Sequence, residues 1–362
     1  MLPHKNSVYN FNRNIRLKPG LDGAILNRMK TKIKWLRTKQ NKLVMICLDG
    51  MSVKSELTYC AKSDTFYEFS DYGVVKKVER NDPTKLATEA VVIMVSGIYS
   101  RFKQPVGYFL AHNTLGSEIQ MKLTRKSIIA IRDTGLIPIA LVMDQSTTNQ
   151  KMIREAGGTA EHPIIQVDNE NIAVMFDPPH LLKNARNALY KYNAVFEDQI
   201  ASFNHIKLLF ETDVASTLRL APKLLYKAIQ LPPFSKMNVS IATRTLSESC
   251  AIAIRHYVEI GSLPTAALQS ASFIALHDKL FDTFNSKERY VNSIGKPYRT
   301  PITDNSVHLK FLEETQRVVK TMYYTVNTCF NIKTVKKIWA YSNSLLIPNI
   351  LIIFRQKNCP EH

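Results

Sequence analysis

The sequence predicts an α/β protein: a mixed sheet flanked by helices, followed by a mostly helical block. Three observations carry this expectation. Short apolar runs separated by turn residues crowd the stretch from residue 43 to residue 176. Helix-length segments with apolar residues three and four apart fill most of 177–325. Within the first part the order is strand, hairpin strands, helix, strand, helix, which folds into a sheet with helices on its faces.

In chain order, a basic helix at about 21–40 precedes "KLVMICLD", which reads as a fully buried strand ending at Asp49. "SELTYCAKSDTFYEFSDYG" alternates like a hairpin with its turn near Lys62–Asp64. "EAVVIMVSGIYS" and "QPVGYFLAHN" supply two further strands. "GSEIQMKLTRKSIIAIRDTG" has helical spacing and stops at Gly135, a residue suited to a helix C-terminus. The strand "LIPIALVMD" follows at once and ends on Asp144, and "TTNQKMIREAGG" is the next helix. "NIAVMFDPPHLLKNARNALYKY" reads as strand, turn and helix, with Pro178 and Pro179 at the helix N-terminus. Beyond residue 195 almost every segment reads as helix, the longest being "KMNVSIATRTLSESCAIAIRHYVEIG", closed by Gly261. The expected divisions are a basic helical segment at 1–42, a sheet domain at 43–176, a helical block at 177–325 and a divergent tail at 326–362.

The 362 residues suffice for two or three domains, or for one large domain with an insertion. With 45% hydrophobic and 22% charged residues, most of the length is globular rather than disordered. A formal charge of +18 is unusual and points to a polyanionic partner, most often nucleic acid. Residues 1–45 hold eleven Lys or Arg against a single acid, Asp22, so the segment from Arg13 to Lys42 is the candidate DNA contact. The plain alternative is a solvated basic helix without a partner. Five cysteines with no CxxC pair indicate neither a zinc finger nor a disulfide framework, and fit a reducing intracellular compartment. Cys47, inside an apolar strand, reads as a buried thiol. The N-terminus lacks the apolar core of a signal peptide, and "NSLLIPNILIIF" (343–354) is too short and too interrupted by Pro348 and Asn349 for a membrane span.

Asp49 and Asp144 each end an apolar run, 95 positions apart. Either alone is readable as a cap or turn residue, and Asp144, followed by Gln145–Ser146–Thr147, suits a helix N-cap. In the strand order above, which is that of an RNase H-like fold, the first and fourth strands are neighbours and bring the two carboxylates to adjacent strand ends. Ionised carboxylates so placed repel unless a cation lies between them. Mg²⁺ prefers such oxygens. Two ions about 4 Å apart activate an attacking oxygen and stabilise a leaving one in phosphodiester chemistry. Asp49 and Asp144 are therefore the candidate catalytic residues and Mg²⁺ ligands.

Six segments occur in one order: "CLDGMSVKSELTY", "VMDQSTTNQ", "FDPPHLLKNARN", "LRLAPKL", "KMNV" and "LHDKLFDTFNS". Together they resemble the P-element transposase family, which includes the THAP-type transposases and their domesticated relatives. The resemblance runs from about residue 15 to about residue 320. It implies an RNase H-like catalytic domain interrupted by a mostly α-helical GTP-binding insertion domain. It also implies Mg²⁺-dependent DNA cleavage and strand transfer in the nucleus, with GTP as a non-hydrolysed cofactor. The family's first two catalytic aspartates fall on Asp49 and Asp144, and Asp177 to Lys183 marks the junction into the insertion. The sequence has no GxxxxGK[ST] loop. The positions matching the family's guanine-nucleotide contacts are Lys223, Val239, Ser247, Phe281, Asp282 and Asn285. A carboxylate accepts from both N1–H and N2–H₂ of guanine, which adenine cannot offer, so the resemblance makes Asp282 the selector of the base. Phe281 would stack and Lys223 would meet phosphate. Apart from the resemblance, Asp282 and Asn285 are simply polar positions three apart near a helix end. Asn238 stands where the family commonly places a lysine. His180, near Asp177, reads as a buried, hydrogen-bonded histidine at a helix start, and Lys183 and Arg186 as facing solvent or DNA.

Two family features do not occur in the sequence. One is the third acid, a glutamate in a Gln-Asp-x-Leu-Glu-Asn-like motif; Glu313, Glu314 and Glu361 are not substitutes by position. The other is the C-x-C…C-x-x-H zinc pattern of the THAP module. The expectation is a truncated, catalytically incomplete transposase core that grips DNA through its phosphates. An active enzyme with a different third acid, and a domesticated DNA- or GTP-binding module without catalysis, are the alternatives. A homo-oligomer stays open, since "ILNRMKTKIKWL" is too brief for the family's leucine-rich dimerisation stretch.

Overall fold

The computed structural model describes residues 18–61, 64–67, 69–73, 84–285, 295–303, 306–328 and 331–334. The chain divides into two compact units, Met1–Gly158 with Ile164–Val174, and Thr159–Pro163 with Met175–His362. The first is built on seven strands. β1 (Gly20–Leu21), α1 (Gly23–Ile33) and β2 (Leu43–Ser52) come first, then a separate two-stranded hairpin, β3 (Thr58–Cys60) and β4 (Thr65–Tyr67). β5 (Glu89–Gly97), β6 (Lys103–Ala111), α2 (Ser117–Arg132), β7 (Ile137–Met143) and α3 (Thr147–Glu155) follow, closing with β8 (Ile164–Val167) and β9 (Glu170–Phe176). The order across the sheet is β1-β6-β5-β2-β7-β9-β8.

Position in this sheet decides what β2 can do. It runs antiparallel to β5 from Val44↔Gly97 to Ser52↔Glu89, and parallel to β7 only from Leu43↔Ile137 to Leu48↔Met143. β2 therefore has two neighbours through Leu48 and one from Asp49 onward. The expected end at Asp49 is corrected: pairing with β5 carries the strand on to Ser52. Burial is also one-sided. Val44, Ile46 and Leu48 are sealed in the core, while Met45 and Cys47 are half-covered, so Cys47 is not the fully buried thiol expected. Each sealed Ile or Leu contributes about 1.5–3 kcal/mol of burial. α2 lays Leu123, Ile128 and Ile131 into the core and gives way before Gly135, whose φ of +94° a residue with a Cβ adopts only with strain.

The second unit begins with α4 (Pro178–Lys191) and a hairpin, β10 (Asn193–Phe196) and β11 (Gln199–Ala201). Helices α5 (Phe203–Ala215), α6 (Tyr226–Gln230), α7 (Val239–Thr245), α8 (Glu248–Glu259), α9 (Ala267–Phe284) and α10 (Val307–Thr321) supply most of its regular structure among the described residues. It ends in β12 (Tyr323–Thr328) and β13 (Asn331–Thr334). Two expectations are corrected. One is the reading of almost every segment beyond residue 195 as helix, since β11-β10-β12-β13 form a sheet of their own within the mostly helical block. The turn between β10 and β11 is made by Glu197 and Asp198, both at positive φ, and this pairing overrides helical-looking composition. The segment taken as the longest helix is two helices, α7 and α8, broken at Leu246–Ser247, where Ser247 Oγ accepts from Cys250 N–H and starts a new helix. The remainder of the tail, including "NSLLIPNILIIF", lies outside the described residues. Among the described residues no helix is long and apolar enough to cross a membrane.

Candidate active site and nucleotide site

Leu48 and Met143 are paired across β2 and β7, so the next residue on each chain, Asp49 and Asp144, stand side by side in the backbone where β7 stops. Asp49 is exposed and Asp144 half-buried. The capping alternative for Asp144 is answered by Ser146, which is the N-cap of α3 and accepts from Asn149 N–H at 3.2 Å. Asp144 instead takes Ser146 N–H on Oδ1 at 3.2 Å, and the Asn149 side-chain amide on the same oxygen. Asn149 is buried and held in turn by Gln120 of α2. The Asp144 carboxyl is thus oriented through one oxygen, and Oδ2 takes part in none of these bonds. Among the described residues neither Asp49 nor Asp144 has a Lys or Arg partner, and no three His, Cys, Asp or Glu side chains converge tightly enough to enclose a metal. Close by, on β5, Glu89 has a buried Oε2 without a hydrogen-bond partner among the described residues. Its carboxyl is pushed above the usual range by burial and, in smaller part, by the charge of Asp144. Hard carboxylate oxygens lacking cationic partners are the donor set that Mg²⁺ takes.

The nucleotide candidates all lie in the second unit. Asp282 is 6% exposed, and both its oxygens are engaged: Arg299 Nε donates to Oδ1 at 2.8 Å and Lys296 Nζ to Oδ2 at 3.0 Å. Lys296 also reaches Asp278 Oδ2, one helical turn earlier, at 3.4 Å. Asp278 is pushed upward by burial and also feels Glu248, so the start of α8 with Ser247 and the second half of α9 with Phe281 and Asp282 are neighbours. Ser247 serves α8 as N-cap, Asn238 serves α7 likewise, and exposed Asn285 is the C-cap of α9. Lys223 is exposed, on a loop pinned by Asp213, whose carboxylate accepts from Leu220 N–H at 2.6 Å and Ala221 N–H at 3.2 Å. Val239, at the start of α7, is set from another side. Arg186 of α4 donates to the carbonyls of Ser235 and Lys236 just ahead of it, each at 3.2 Å.

Two family models match the chain: "TNP-like, RNase H N-terminal domain" over residues 17–157, and "TNP-like, GTP-binding insertion domain" over residues 179–297. The chain belongs to the P-element-like (TNP-like) transposase family. DNA transposase THAP9 of Homo sapiens is 25% identical over 351 residues, covering 92% of this chain and 37% of that protein. Transposable element P transposase of Drosophila melanogaster is 26% identical over 304 residues, covering 82% of this chain and 37% of that protein. The Drosophila P element transposase strand transfer complex superposes with a TM-score of 0.74 at 21% identity, covering 99% of this chain and 74% of that one. The architecture of this P-element-like chain is accordingly an RNase H-like mixed sheet joined to a GTP-binding insertion domain. The chain spans a little over a third of the length of the two curated relatives, 37% of each.

Sequence reasoning misplaced two cations of this family member. Lys183 (8% exposed) and Arg186 (0%) face neither solvent nor DNA; α4 buries both, and Arg186 spends itself on the turn before α7. His180 is half-exposed rather than buried, with Nδ1 2.6 Å from Oδ2 of Asp177, the N-cap of α4. Of the basic segment, Arg13 and Arg16 lie outside the described residues; the helix covers 23–33, shorter than expected, with Met29 and Ile33 inward. Trp35, 82% exposed among Lys34, Arg37 and Lys39, adds an aromatic face to that surface.

Proposed function

We propose that this chain carries part of a P-element-type transposase core, with two of its metal-binding carboxylates in Asp49 and Asp144 and the third not among its motifs, for Mg²⁺-dependent phosphodiester cleavage and strand transfer on DNA in the nucleus, with GTP as a bound, non-hydrolysed cofactor. One observation carries the reading: the Leu48↔Met143 pairing that sets Asp49 beside Asp144 at the open end of β2. Asp49 and Asp144 would hold Mg²⁺, which would supply the charge that activates an attacking oxygen and stabilises a leaving one. The chain's own part is to fix Asp144 through Asn149 and Gln120, and to present Asp49 where no strand covers it. Lysines and arginines between residues 18 and 42, with Trp35 among them, supply phosphate contacts and a surface for base stacking. In the helical unit the pinned loop leaves Lys223 open to a phosphate, and Asp282 and Phe281 serve the base.

The test is strand cleavage and transfer with a transposon-end duplex, with and without Mg²⁺, by the chain and by its Asp49→Asn and Asp144→Asn variants. Each substitution is expected to cost about 10³-fold or more, about 4 kcal/mol of transition-state stabilisation. Unchanged rates in either variant remove that aspartate from the site. DNA binding without cleavage by the unaltered chain marks a binding module instead.

A further inference from the structure

Between Asp213 and Glu248 the chain carries no acid and five cations, Arg219, Lys223, Lys227, Lys236 and Arg244. Arg219 is taken by Asp213. The other four are exposed and in no ion pair among the described residues. Within this stretch "IQLPPFSKM" (229–237) is held by its backbone. From α4, Arg186 donates to the carbonyls of Ser235 and Lys236, and the Tyr190 hydroxyl, one turn further along the same helix face, to that of Gln230 at 3.3 Å. Asn187 adds a second donor to the Lys236 carbonyl at 3.1 Å. So fixed, the segment keeps two residues in the left-handed region, Leu231 at φ +42° and Phe234 at φ +67°. Such backbone is costly for a bulky side chain and persists only where its surroundings over-determine it. Leu231 is buried, but Phe234 is 86% exposed and Met237 is open beside it. A strained backbone that holds a phenyl ring out in water contributes nothing to packing. Behind the turn, Arg186 leaves positive charge: no carboxylate pairs with it among the described residues, and its buried Nη1 makes no hydrogen bond there.

We propose that the turn at 232–237 is a clamp for an unpaired stretch of DNA strand, with a base stacked on Phe234 and the neighbouring phosphates met by Lys236 and Lys227. Cations without acids around an outstanding aromatic ring suit phosphate and base together. Bases inside a duplex already cover each other's faces, so the ring takes an unpaired one. A second copy of the chain would bring the same positive charge to the same face. This surface goes beyond the basic segment at 18–42, and in sequence it lies between Lys223 and Val239, which the proposed function gives to the nucleotide.

Fluorescence anisotropy of a labelled oligothymidine bound to the full chain tests this, with its duplex as second probe and with GTP as competitor. Phe234→Gly removes the ring and suits the left-handed backbone. That variant should be no less stable to urea, yet bind the oligothymidine about tenfold more weakly. Phe234→Trp should restore the affinity, and duplex binding should hold in both. Lys236→Ala should weaken binding and flatten its salt dependence. Phe234→Gly that binds like the unaltered chain overturns the clamp, as does a loss of equal size on the duplex. Displacement of the oligothymidine by GTP assigns the face to the nucleotide and overturns the clamp too. A dimer in sedimentation that Phe234→Gly dissolves, with oligothymidine binding unchanged, gives the face to a second copy instead. Loss confined to Trp35→Ala overturns the clamp and leaves the basic segment standing, whereas an unaltered chain that binds neither probe removes both.

Discussion

The two units treat their acids in opposite ways. In the helical unit each buried aspartate is matched from within. Asp213, 0% exposed, receives Arg219 Nε at 3.0 Å, the Tyr257 hydroxyl at 3.2 Å and the backbone N–H groups of Leu220 and Ala221. Asp282 receives Lys296 and Arg299. In the sheet unit Asp49, Glu89 and Asp144 lie toward one end of neighbouring interior strands, with no Lys or Arg partner among the described residues. A carboxylate with its cation already in place holds a fold together. A group of carboxylates left without one is poised for charge from outside. Position in the chain says little about which kind an acid is; the compensation around it says more.

The largest expected difference between the two kinds is in stability. Asp213→Ala strips the acceptor from two backbone donors, a hydroxyl and a guanidinium, and should cost about 3 kcal/mol. Asp144→Ala loses only the Ser146 and Asn149 contacts and relieves repulsion with Glu89, so its cost should stay within about 1 kcal/mol. Urea unfolding of the cation-free variants measures both. Equal losses would break the distinction.

Much of the sheet unit was legible in the sequence. Apolar runs bounded by turn residues mark β2, β5, β6 and β7, and the pairing of the first strand with the fourth follows from their order. The end of β2 was not legible, because strand length there is set by the partner β5 rather than by the apolar run that stops at Leu48. Glu89 escaped notice for a related reason: an acid opening an apolar strand reads as an exposed boundary until its pairing with Ser52 brings it to the end of the sheet near Asp144. In the helical unit the break at Ser247 was written in its capping chemistry but masked by continuous helical spacing on both sides. The burial of Arg186 had no local signal at all. Its partners are carbonyls of Ser235 and Lys236, almost fifty residues away, and nothing in the composition of "HLLKNARN" distinguishes a cation turned inward from one turned outward.

Acid separates the units in a second way. His277, buried on α9 against Phe273 with ring centroids 4.1 Å apart, has its pKa pushed down to about 4 by burial. The unfolded chain, with an ordinary histidine pKa near 6.5, binds the proton first. The stability His277 confers is therefore fully present above about pH 6.5 and is lost as pH falls toward 4, by up to about 3 kcal/mol. Glu89 works in the reverse direction: its raised pKa means that the folded state takes up the proton first, and acidification through that range favours folding. Thermal unfolding between pH 4 and 7 should steepen on the acid side for the unaltered chain and flatten in His277→Gln. A slope unchanged by that substitution would assign the acid sensitivity elsewhere.

The smallest effect concerns Asp282, whose compensation places it with the structural acids, whereas the proposed function gives it the guanine base. The guanidinium of Arg299 offers Asp282 an N–H where guanine would offer its own, and Lys296 occupies the second oxygen. A guanine edge bound at Asp282 must displace at least one of them. Arg299 is partly exposed, its side chain retaining 44% of its accessible surface, so the ion pair is screened and worth about 1 kcal/mol rather than the value of a dry pair. Removing it with Arg299→Ala leaves Asp282 open on Oδ1 and should tighten GTP about fivefold, with ATP unchanged. Calorimetry with both nucleotides measures the shift. Weaker GTP binding in Arg299→Ala would mean that the arginine holds the nucleotide rather than competing with it. Affinity unchanged in both Arg299→Ala and Asp282→Asn would return Asp282 to the company of Asp213, an acid spent wholly on holding its own unit together.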